Sequence, residues 1–368
     1  MRILFLNWRD ITNPEAGGAE VFIHEIGKRL SLKGHGVVLL CSSYKGCKKM
    51  DRLEGVEIVR KGGKYTVNFF ANIYILKNRR NFDVIVDSER IPFLSPIFFK
   101  PVVCLVHQVH FKIFDVELKP VLRSIVKMVE YFILKTFYKN CEFIAVSEST
   151  KKMLHKKFGI NPNKIHIVYN GVNLVCNETV KWKNPPTILY FGRIRQYKKI
   201  EDIIRAFYIV KKRINDCRLI IAGKLVDKRY WKNLKKLAEK LKVNVKFVPN
   251  VSESKKMQIF SESWIYAITS VEEGWGISVV EANSCGIPAV GYDVPGLKDS
   301  IRHGYNGLLV EFGNVEALAQ TLIRLLIDEK LRKNLSENAL AWAKMYSWDV
   351  STQKFLEVLE KVWSFNRK

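Results

Sequence analysis

Paired cysteines and long apolar segments are both missing from this sequence. The seven cysteines are odd in number and scattered, and none belongs to a Cys-x-x-Cys pair. A structural zinc site is therefore not expected, and reduced thiols in a cytosolic compartment are the economical interpretation. No uncharged apolar stretch reaches the roughly 18 residues that a membrane-spanning helix needs, so none is predicted. The first apolar run, MRILFLNWRD, is too short for a signal peptide and predicts a strand.

Acidic residues are scarce relative to basic ones. The chain has 61 Lys and Arg against 36 Asp and Glu, which gives a formal net charge of +25, and both halves contribute to the excess. Such a surface attracts polyanions, namely anionic lipid, nucleic acid or phosphorylated substrates. No aromatic RNA-binding motif and no recognition-helix module accompanies the charge. Nucleic acid is therefore not an expected partner.

The length of 368 residues and the hydrophobic content of 48% are typical of two globular domains with separate cores. Short β-branched runs alternate with helical patterns, which predicts βαβ units, an α/β fold class and parallel sheets. In the first half the predicted strands are 3–8, 37–41, 56–60, 83–87, 101–107, 142–147 and 165–168, and the predicted helices are 19–32, 119–139 and 149–158. Ligands of such sheets bind beyond the carboxyl ends of the strands.

A polar segment that ends in Pro-Pro, residues 174–186, has the composition of a linker. The predicted domain boundaries are therefore 1–173 and 174–349. In the second half the strand-forming runs ILYF, RLIIAG and VKFV alternate with helical patterns. The last three predicted helices are 314–328, 329–345 and 349–366.

The stretch from Trp264 to Val290 carries the clearest functional pattern. A short apolar run predicts a buried strand, Gly274 and Gly276 flank Trp275, and a helical pattern begins at Ile277. A strand, a glycine turn and a helix start in that order direct free backbone N–H groups at whatever occupies the turn. The natural occupant is an anion such as a phosphate, to which Ser278 can add an N–H and a hydroxyl.

Two carboxylates, Glu273 and Glu281, bracket this glycine turn. Eight helical residues would separate them by about 12 Å along the axis, which is too far to share a proton and suits the two ends of one elongated ligand. Since carboxylates repel a phosphate, hydroxyl groups of a sugar and a ribose are the expected partners. The alternative is a solvated loop residue at Glu273 and a helix N-terminal charge at Glu281.

Further candidates lie at other strand ends. Arg193 and Lys198 follow the strand ILYF, where two cations can neutralise a diphosphate, although a basic surface loop is the alternative. Gly17 and Gly18 precede a helix and allow a ligand to approach its N-terminus, or they form a plain turn. Glu20 and Glu25 are expected on the solvated face of that helix. His107 ends the strand PVVCLVH, a position that favours function over a structural role, with His110 as the alternative.

These motifs, in their order, resemble family 4 glycosyltransferases, the retaining, nucleotide-sugar-dependent enzymes of the GT-B architecture. The resemblance rests on GG, the strand with His107, VSES, YNGVN, GR…K, EEGWGISVVE and GYNGLLV, and it covers nearly the whole chain. It implies two Rossmann-like, doubly wound α/β domains that face a cleft. The first would bind the acceptor and the second the nucleotide sugar, and the C-terminal helix, 350–368, would pack back on the first domain.

The resemblance also implies residue roles. Glu273 and His107 would lie near the donor sugar, and Glu281 would hold the ribose hydroxyls. Arg193 and Lys198 would bind the donor phosphates, and Gly17 and Gly18 would lie over the diphosphate and the acceptor. The sequence departs from the family at Ser278, where Pro is usual, at Lys199, where Gly is usual, and at KLVDK, which replaces a Gly-x-Pro.

No Asp-x-Asp triplet is present to chelate a metal between phosphates. Leaving-group charge would then be met by Arg193, Lys198 and the helix start at Gly276, Ile277 and Ser278. We expect a hexosyltransferase that retains the anomeric configuration without a metal or cofactor, and that attacks from the front face with help from the departing phosphate. The expected donor is a UDP- or GDP-sugar, and the expected acceptor is a glycan or a lipid-linked precursor of cell-surface polysaccharide.

The segment Lys119–Asn140 is predicted to be an amphipathic helix. Its basic residues fall at multiples of four (Lys119, Arg123, Lys127, Lys135 and Lys139), and apolar residues cover the opposite side. Two interpretations stay open, a core helix with a solvated basic face and a helix that contacts an anionic membrane surface. The second agrees with a cytoplasmic protein that is peripheral on the inner face of the cell membrane.

Two other functional classes also stay open. One is a phosphorylase or sugar-phosphate synthase of the same fold, although the short chain and the missing pyridoxal-phosphate lysine motif argue against a phosphorylase. The other is a non-catalytic polyanion or membrane binder with a vestigial site.

Overall fold

A computed structural model describes residues 1–88, 93–109, 111–117, 119–173, 182 and 184–365. The chain divides into two compact units. Unit 1 consists of Met1–Phe111, Leu118–Gly171 and Ser347–Lys368, and unit 2 consists of Lys112–Glu117 and Val172–Tyr346. His110, most of the predicted linker 174–186 and the last three residues of the predicted helix 350–368 lie outside the described residues.

Unit 1 contains an eight-stranded sheet in the order β3-β4-β2-β1-β5-β6-β7-β8. Neighbouring strands are parallel except β3 and β4, which are antiparallel. The strands are β1 (Arg2–Asn7), β2 (Gly36–Cys41), β3 (Met50–Leu53), β4 (Val56–Arg60), β5 (Val84–Ser88), β6 (Val102–Val106), β7 (Glu142–Ala145) and β8 (Ile165–Ile167). The central strands are continuous apolar runs because a parallel sheet is covered on both faces.

Helices cover both faces of this sheet. The first six are α1 (Gly18–Leu32), α2 (Val67–Asn78), α3 (Ser95–Phe98), α4 (Phe111–Glu117), α5 (Pro120–Phe137) and α6 (Glu148–Phe158). Side chains of one strand alternate between the two faces. Accordingly Leu4 and Leu6 pack in one cluster with core residues of α2, α5 and α6, whereas Phe5 stacks against Phe355 on the other side with ring centroids 5.9 Å apart.

Unit 2 contains a parallel six-stranded sheet in the order β11-β10-β9-β12-β13-β14. Its strands are β9 (Thr187–Phe191), β10 (Arg218–Gly223), β11 (Val245–Pro249), β12 (Ile265–Ile268), β13 (Ala289–Tyr292) and β14 (Gly307–Val310). Its further helices are α7 (Ile200–Arg213), α8 (Lys228–Lys240), α9 (Glu253–Ser261), α10 (Ile277–Ser284), α11 (Leu297–Ser300), α12 (Val315–Ile327) and α13 (Glu329–Lys344). One large apolar cluster from both faces of the sheet forms its core.

The C-terminal helix, α14 (Trp348–Phe365), belongs to unit 1 and packs against α1. Trp348 and Phe355 both contact the ring of Phe22 on α1 edge-on, with centroids 5.9 and 6.0 Å away. A charged hydrogen bond of 2.8 Å from Arg29 Nε to Asp349 Oδ1 lies at the edge of this interface. The last helix therefore covers the face of the sheet opposite α2, α5 and α6.

The strand orders confirm the predicted α/β fold class. In unit 1 the parallel strands proceed outward from β1 in one direction and from β5 in the other, and the antiparallel β3 is added at the edge beyond β4. In unit 2 the strands proceed outward in the same way from β9 and β12. Each sheet is thus doubly wound, with a switch point between β1 and β5 and another between β9 and β12. In open α/β sheets, ligands bind outside the carboxyl ends of the strands at such points.

The apolar residues of helix α5 are exposed to solvent. This contradicts the interpretation of α5 as a core helix whose apolar side is buried and whose basic side is solvated. Val121, Met128 and Phe132 are 75%, 65% and 59% exposed, while Arg123 and Lys127 are half-buried. The buried side chains of this helix are Glu130 and Leu134, and Ile133 and Phe137 pack partly buried against the core of unit 1. The two faces exist as predicted, but most of the apolar side is exposed instead of buried.

Two smaller findings complete the fold. Five cysteines (Cys41, Cys47, Cys104, Cys141 and Cys217) carry free thiols, but Cys285 is disulfide-bonded, so the expectation of reduced thiols throughout is wrong. Among the helices that the structure describes, none is both long and apolar enough to cross a bilayer.

Candidate functional site

The loops after β9 and β12 are joined by hydrogen bonds. The hydroxyl of Thr269, at the end of β12, donates to the carbonyl oxygens of Lys198 and Lys199 at 3.0 and 2.9 Å. The amide of Val271 donates to the carbonyl of Tyr197 at 2.9 Å. Two segments that are about 70 residues apart in sequence thus form one platform at the switch point of unit 2.

Lys198 and Glu273 are in direct contact on this platform. The ammonium of Lys198 donates a hydrogen bond to Glu273 Oε1, and the hydroxyl of Ser270 donates to the same oxygen at 2.5 Å. The two charged side chains are 10% and 11% exposed. Burial lowers the pKa of Lys198, but the negative charge of Glu273 outweighs it and raises the pKa overall. The ammonium is therefore charged at neutral pH.

The backbone of Glu273 is fixed by the loop after β13. Its amide donates to the carbonyl of Pro295 at 3.1 Å. Gly296 has a φ of +82°, and a Cβ at that position would lie 2.1 Å from the carbonyl oxygen of Glu273. Only glycine allows this approach, so the loop holds the backbone of Glu273 in one place.

The helix α10 begins directly after the glycine turn. Gly276, its N-cap, has a φ of +90°, and a Cβ there would lie 2.8 Å from Ser300 Oγ. No side chain of the described residues caps this helix start, and the first N–H groups of any helix lack an intrahelical partner. The amides of Ile277 and Ser278 thus begin a helix whose positive end attracts anions.

Tyr266 on β12 connects α10 to the end of β9. Its hydroxyl lies 2.8 Å from the carbonyl oxygen of Phe191 and 2.8 Å from Ser278 Oγ. The Ser278 hydroxyl is therefore part of a buried hydrogen-bonded chain, and its backbone N–H is the group that remains suited to a phosphate.

Arg193 lies on the same loop as Lys198, just beyond β9. Its carbonyl accepts a hydrogen bond from the hydroxyl of Tyr190 at 2.9 Å, and its guanidinium lies 3.4 Å from the hydroxyl of Tyr197. The loop is fixed at its start, because a Cβ on Gly223 would lie 2.1 Å from the carbonyl oxygen of Gly192. The structure thus gathers both predicted cations beside β9.

Glu281 lies on the second turn of α10 and is paired with a residue that the sequence analysis missed. Lys256 on α9 donates a 2.7 Å hydrogen bond to Glu281 Oε1. The ammonium of Lys256 also lies 5.5 Å from the ring centroid of Phe191. Burial lowers the pKa of Lys256, but the charge of Glu281 raises it overall. No motif surrounds Lys256 that could have singled it out.

In unit 1 the glycine pair precedes α1. Gly17 is the N-cap and Gly18 the first helical residue, and the Gly17 amide donates to Glu20 Oε2 at 2.7 Å. Glu20 is therefore buried in a capping interaction, and the prediction that it lies on a solvated helix face is wrong. Its carboxylate satisfies one of the backbone groups at this helix start.

The loop before the glycine pair is anchored by a buried ion pair that the sequence analysis also missed. Arg60, at the end of β4, donates from Nε to Asp10 Oδ2 at 2.8 Å, and both side chains are buried. The amide of Thr12 donates to Asp10 Oδ1 at 2.8 Å, and Arg60 Nη2 donates to the Thr12 hydroxyl at 3.1 Å. This network fixes the path from β1 to α1.

His107 follows β6 and contacts two neighbouring elements. Its Nε2 lies 3.1 Å from Ser88 Oγ, at the end of β5, and its ring packs edge-on against Phe22 of α1, with centroids 5.2 Å apart. Burial lowers the pKa of His107 to about 4, so the imidazole is neutral at neutral pH. Gly18 is the first residue of α1, so His107 and the glycine pair both contact or belong to the same helix.

The predicted site residues thus fall into two groups. The first group belongs to unit 2, where Lys198 contacts Glu273 and Arg193 contacts Tyr197 of the same loop. The adjoining helix start completes this group with Gly276, Ile277, Ser278 and Glu281. The second group belongs to unit 1 and consists of Gly17, Gly18 and His107. Within the described part of the chain, no three His, Cys, Asp or Glu side chains are arranged to hold a metal ion.

Two family models match consecutive parts of the chain. The model for Glycosyltransferase Family 4 matches residues 16–175, and the model for glycosyl transferases group 1 matches residues 177–342. Together they span most of the sequence, and they meet where unit 2 begins.

Curated relatives match over part of their length. The chain is 31% identical to an uncharacterised glycosyltransferase of Methanocaldococcus jannaschii, over 58% of each chain. It is 26% identical to an N,N'-diacetylbacillosaminyl-diphospho-undecaprenol alpha-1,3-N-acetylgalactosaminyltransferase of Campylobacter jejuni, over 63% of this chain and 64% of that one. The chain spans about 60% of the length of the first relatives that it matches.

Solved structures show the same fold. The structure of Anabaena HepE in complex with UDP-glucose matches with a TM-score of 0.78 at 19% identity, over 98% of this chain and all of that one. At this identity the match shows the fold alone, which is that of GT-B glycosyltransferases. The chain therefore belongs to glycosyltransferase family 4, with a family 4 domain followed by a group 1 domain.

Proposed function

We propose that this protein is a retaining, metal-independent hexosyltransferase that uses a nucleotide-diphosphate sugar as donor. One observation carries the proposal: in unit 2, Lys198 contacts Glu273 beside the uncapped start of α10. The site combines a cation, a carboxylate and free helix amides at a switch point. This combination suits a ligand in which a diphosphate is linked to a sugar better than it suits a free diphosphate or a free sugar.

The diphosphate would be bound by positive charge from two sources. Arg193 and Lys198 supply two cations, and the amides of Ile277 and Ser278 supply the positive end of a helix. Glu273 offsets one of these charges, so the phosphate oxygens must compete with its carboxylate for Lys198. Charges placed in this way stabilise the diphosphate as it departs, without requiring a metal.

The proposed reaction exchanges one bond at the anomeric carbon for another on the same face. The bond from the anomeric carbon to the β-phosphate oxygen breaks, and an acceptor hydroxyl oxygen bonds to that carbon. The proton of the acceptor passes to the departing phosphate, and a nucleoside diphosphate leaves. Glu273 is a positioning group here, because Oε1 already accepts hydrogen bonds from Lys198 and Ser270, which makes it a poor nucleophile.

The remaining site residues would orient the two ends of the donor. Glu281 would accept hydrogen bonds from the ribose hydroxyls, and the neutral imidazole of His107 would contact the sugar. Gly17 and Gly18 would admit the diphosphate and the acceptor at the start of α1. The donor is a UDP- or GDP-sugar; the likeness to a protein whose structure contains UDP-glucose supports UDP.

For the acceptor we propose a glycan or a lipid-linked precursor of cell-surface polysaccharide. The relative from Campylobacter is named for an undecaprenol diphosphate substrate. The exposed apolar side of α5 supports a lipid location, since Val121, Ile125, Met128 and Phe132 are all about half exposed or more. Phe69 on α2 and Ile97 on α3 are exposed as well.

Charge supports an anionic membrane as the surface that would cover α5. Lys119, Lys135 and Lys139 are exposed at or near its two ends, and the chain carries a net charge of +25. An amphipathic helix with apolar residues outward and lysines at its margins binds at the headgroup boundary of anionic bilayers. The protein would then act at the cytoplasmic face of the cell membrane.

The proposal is tested with purified protein and a panel of UDP-, GDP- and ADP-sugars. We expect release of nucleoside diphosphate that survives EDTA, that falls strongly in Glu281→Gln, and that yields a product with the donor's anomeric configuration. Absence of turnover with every donor and acceptor would favour the non-catalytic binder. Transfer to a sugar phosphate alone would favour the sugar-phosphate synthase.

A further inference from the structure

The pair of Lys256 and Glu281 is more than a surface contact. The two side chains are 11% and 20% exposed, and the lysine stem lies on the buried face of α9 with Ile259 and Phe260. Exposed ion pairs contribute little and do not hold either side chain in place. A buried ammonium that loses its carboxylate partner, in contrast, becomes an unpaired buried charge, which is strongly destabilising. Lys256 therefore fixes the position of the Glu281 carboxylate.

The pair also lies at the edge of the proposed donor site. The Lys256 ammonium lies 5.5 Å from the ring centroid of Phe191, the last residue of β9, and the carbonyl of Phe191 accepts the hydrogen bond from Tyr266 that leads to Ser278. The other carboxylate near Lys256 is Glu253, at 3.7 Å and almost fully exposed. Glu281 therefore orients the ammonium of Lys256, and Lys256 orients the carboxylate of Glu281.

We infer that Lys256 is a positioning residue of the ribose subsite, which holds Glu281 Oε1 so that Oε2 can accept a hydrogen bond from a ribose hydroxyl. This inference rests on the proposed function, since it assigns a second group to the subsite of Glu281. Of the described side chains, only Lys256 donates to the carboxylate of Glu281. Because Lys256 holds one carboxylate oxygen, the side chain of Glu281 would lose less conformational entropy when the other oxygen binds a ligand.

The test compares nucleotides with and without ribose hydroxyls. Calorimetric titration would use UDP or GDP, whichever binds wild type more tightly, and its 2′,3′-dideoxy counterpart. In Lys256→Met we expect affinity for the ribonucleotide to fall about tenfold, the scale of one hydrogen bond to a charged group. Affinity for the dideoxy nucleotide should stay within about twofold, so the preference for ribose shrinks.

Two further variants separate positioning from folding. Lys256→Arg keeps the charge and should restore most of the preference. Lys255→Met removes the neighbouring lysine, whose ammonium contacts Gln258 instead of Glu281, and should behave as wild type. Thermal unfolding of each variant confirms that the titrated protein is folded.

The outcomes distinguish this inference from the function on which it rests. If wild type prefers the ribonucleotide and Lys256→Met keeps the same preference, or weakens both nucleotides equally, Lys256 has no positioning role while the donor site stands. If wild type binds no nucleoside diphosphate at all, the proposed function fails and this inference with it.

Discussion

Lys198 donates a hydrogen bond to Glu273 although 75 residues separate them in the sequence. The cation expected to bind the donor phosphates and the carboxylate expected to contact the donor sugar therefore meet at one point. Since the anomeric carbon is bonded to the β-phosphate oxygen, the groups that recognise its two sides must be close together. The contact is the geometric reason for treating these residues as one site.

Replacing Lys198 by Met should impair donor use severely. The substitution removes a cation from the phosphates and leaves Glu273 with a buried, uncompensated charge, so we expect kcat/KM to fall at least about 100-fold. The measurement is the rate of nucleoside diphosphate release at varied donor concentration.

Lys199→Met is the matched control for that loss. Lys199 also carries a charge on this loop, but its ammonium contacts Glu201, not Glu273. Its kcat/KM should stay within about threefold of wild type. Equal losses in the two variants would mean that general loop charge, and not the contact with Glu273, governs donor use.

Replacing Gly276 by Ala should destabilise the protein and weaken donor binding together. Its φ of +90° disfavours any side chain, and the added Cβ would also lie 2.8 Å from Ser300 Oγ. Gly304→Ala is the control, because Gly304 has a φ of +76° with nothing within 4 Å of its Cβ position. We expect a loss of about 1 kcal/mol for Gly304→Ala and at least about 1 kcal/mol more for Gly276→Ala.

Urea unfolding measures these free energies, and nucleotide titration measures binding. Only Gly276→Ala should reduce affinity, because only that change moves the start of α10. Equal free energies of unfolding for the two variants would show that the glycine turn is not packed as described.

His107 should make stability depend on pH between about 4 and 6.5. Burial lowers the pKa of His107 from 6.5 to about 4, so in this window the unfolded chain binds a proton that the folded chain does not. Stability therefore rises with pH across the window and falls on acidification. In His107→Gln this contribution disappears, and the free energy of unfolding should fall less between pH 6.5 and 4.5.

Urea unfolding of both proteins at several pH values provides the comparison. A variant with the same pH dependence as wild type would mean that His107 titrates normally in the folded state. That result would also remove the reason to treat its imidazole as neutral near the donor.

The outward side of α5 should be needed for binding to anionic vesicles. Replacing Met128 and Phe132 by Ser removes two exposed apolar side chains and should lower the partition coefficient at least about tenfold. Vesicle flotation at low and high salt measures this partition coefficient, and binding of wild type should weaken as salt rises.

Met345, which is also exposed but lies on the other unit, supplies a control, and Met345→Ser should bind as wild type does. Equal binding to neutral and anionic vesicles would contradict the membrane proposal.

Much of the fold could be predicted because parallel strands are apolar along their whole length. The runs that became β1, β2 and β10 were visible for that reason, and the strand-glycine-helix order located α10. Helix α2 was missed since its sequence, VNFFANIYILKN, is apolar nearly all round and shows no helical period.

The sequence could not predict which side of an amphipathic helix faces the sheet. In α5 only a narrow strip around Leu134 is buried, and the wider apolar side is left outside. A sequence shows that two faces exist, but the direction depends on how much surface the neighbouring elements leave to be covered.

Individual site residues could be predicted where they belong to a recognisable motif. The residues that pair with them could not be predicted. Lys256 has no motif and lies 25 residues from Glu281, and the ion pair of Asp10 with Arg60 joins residues 50 apart. Glu20 was assigned to solvent because a glutamate on a helix is usually exposed, whereas its true role depends on the cap geometry of Gly17.

The central claim is that a diphosphate binds between Lys198 and the start of α10. The structure of the protein with a nucleoside diphosphate bound tests it most directly. We predict phosphate oxygens within about 3.2 Å of Lys198 Nζ and of the backbone amides of Ile277 or Ser278, with the ribose against Glu281. A diphosphate bound elsewhere on the protein, with Lys198 still held by Glu273, would contradict the account.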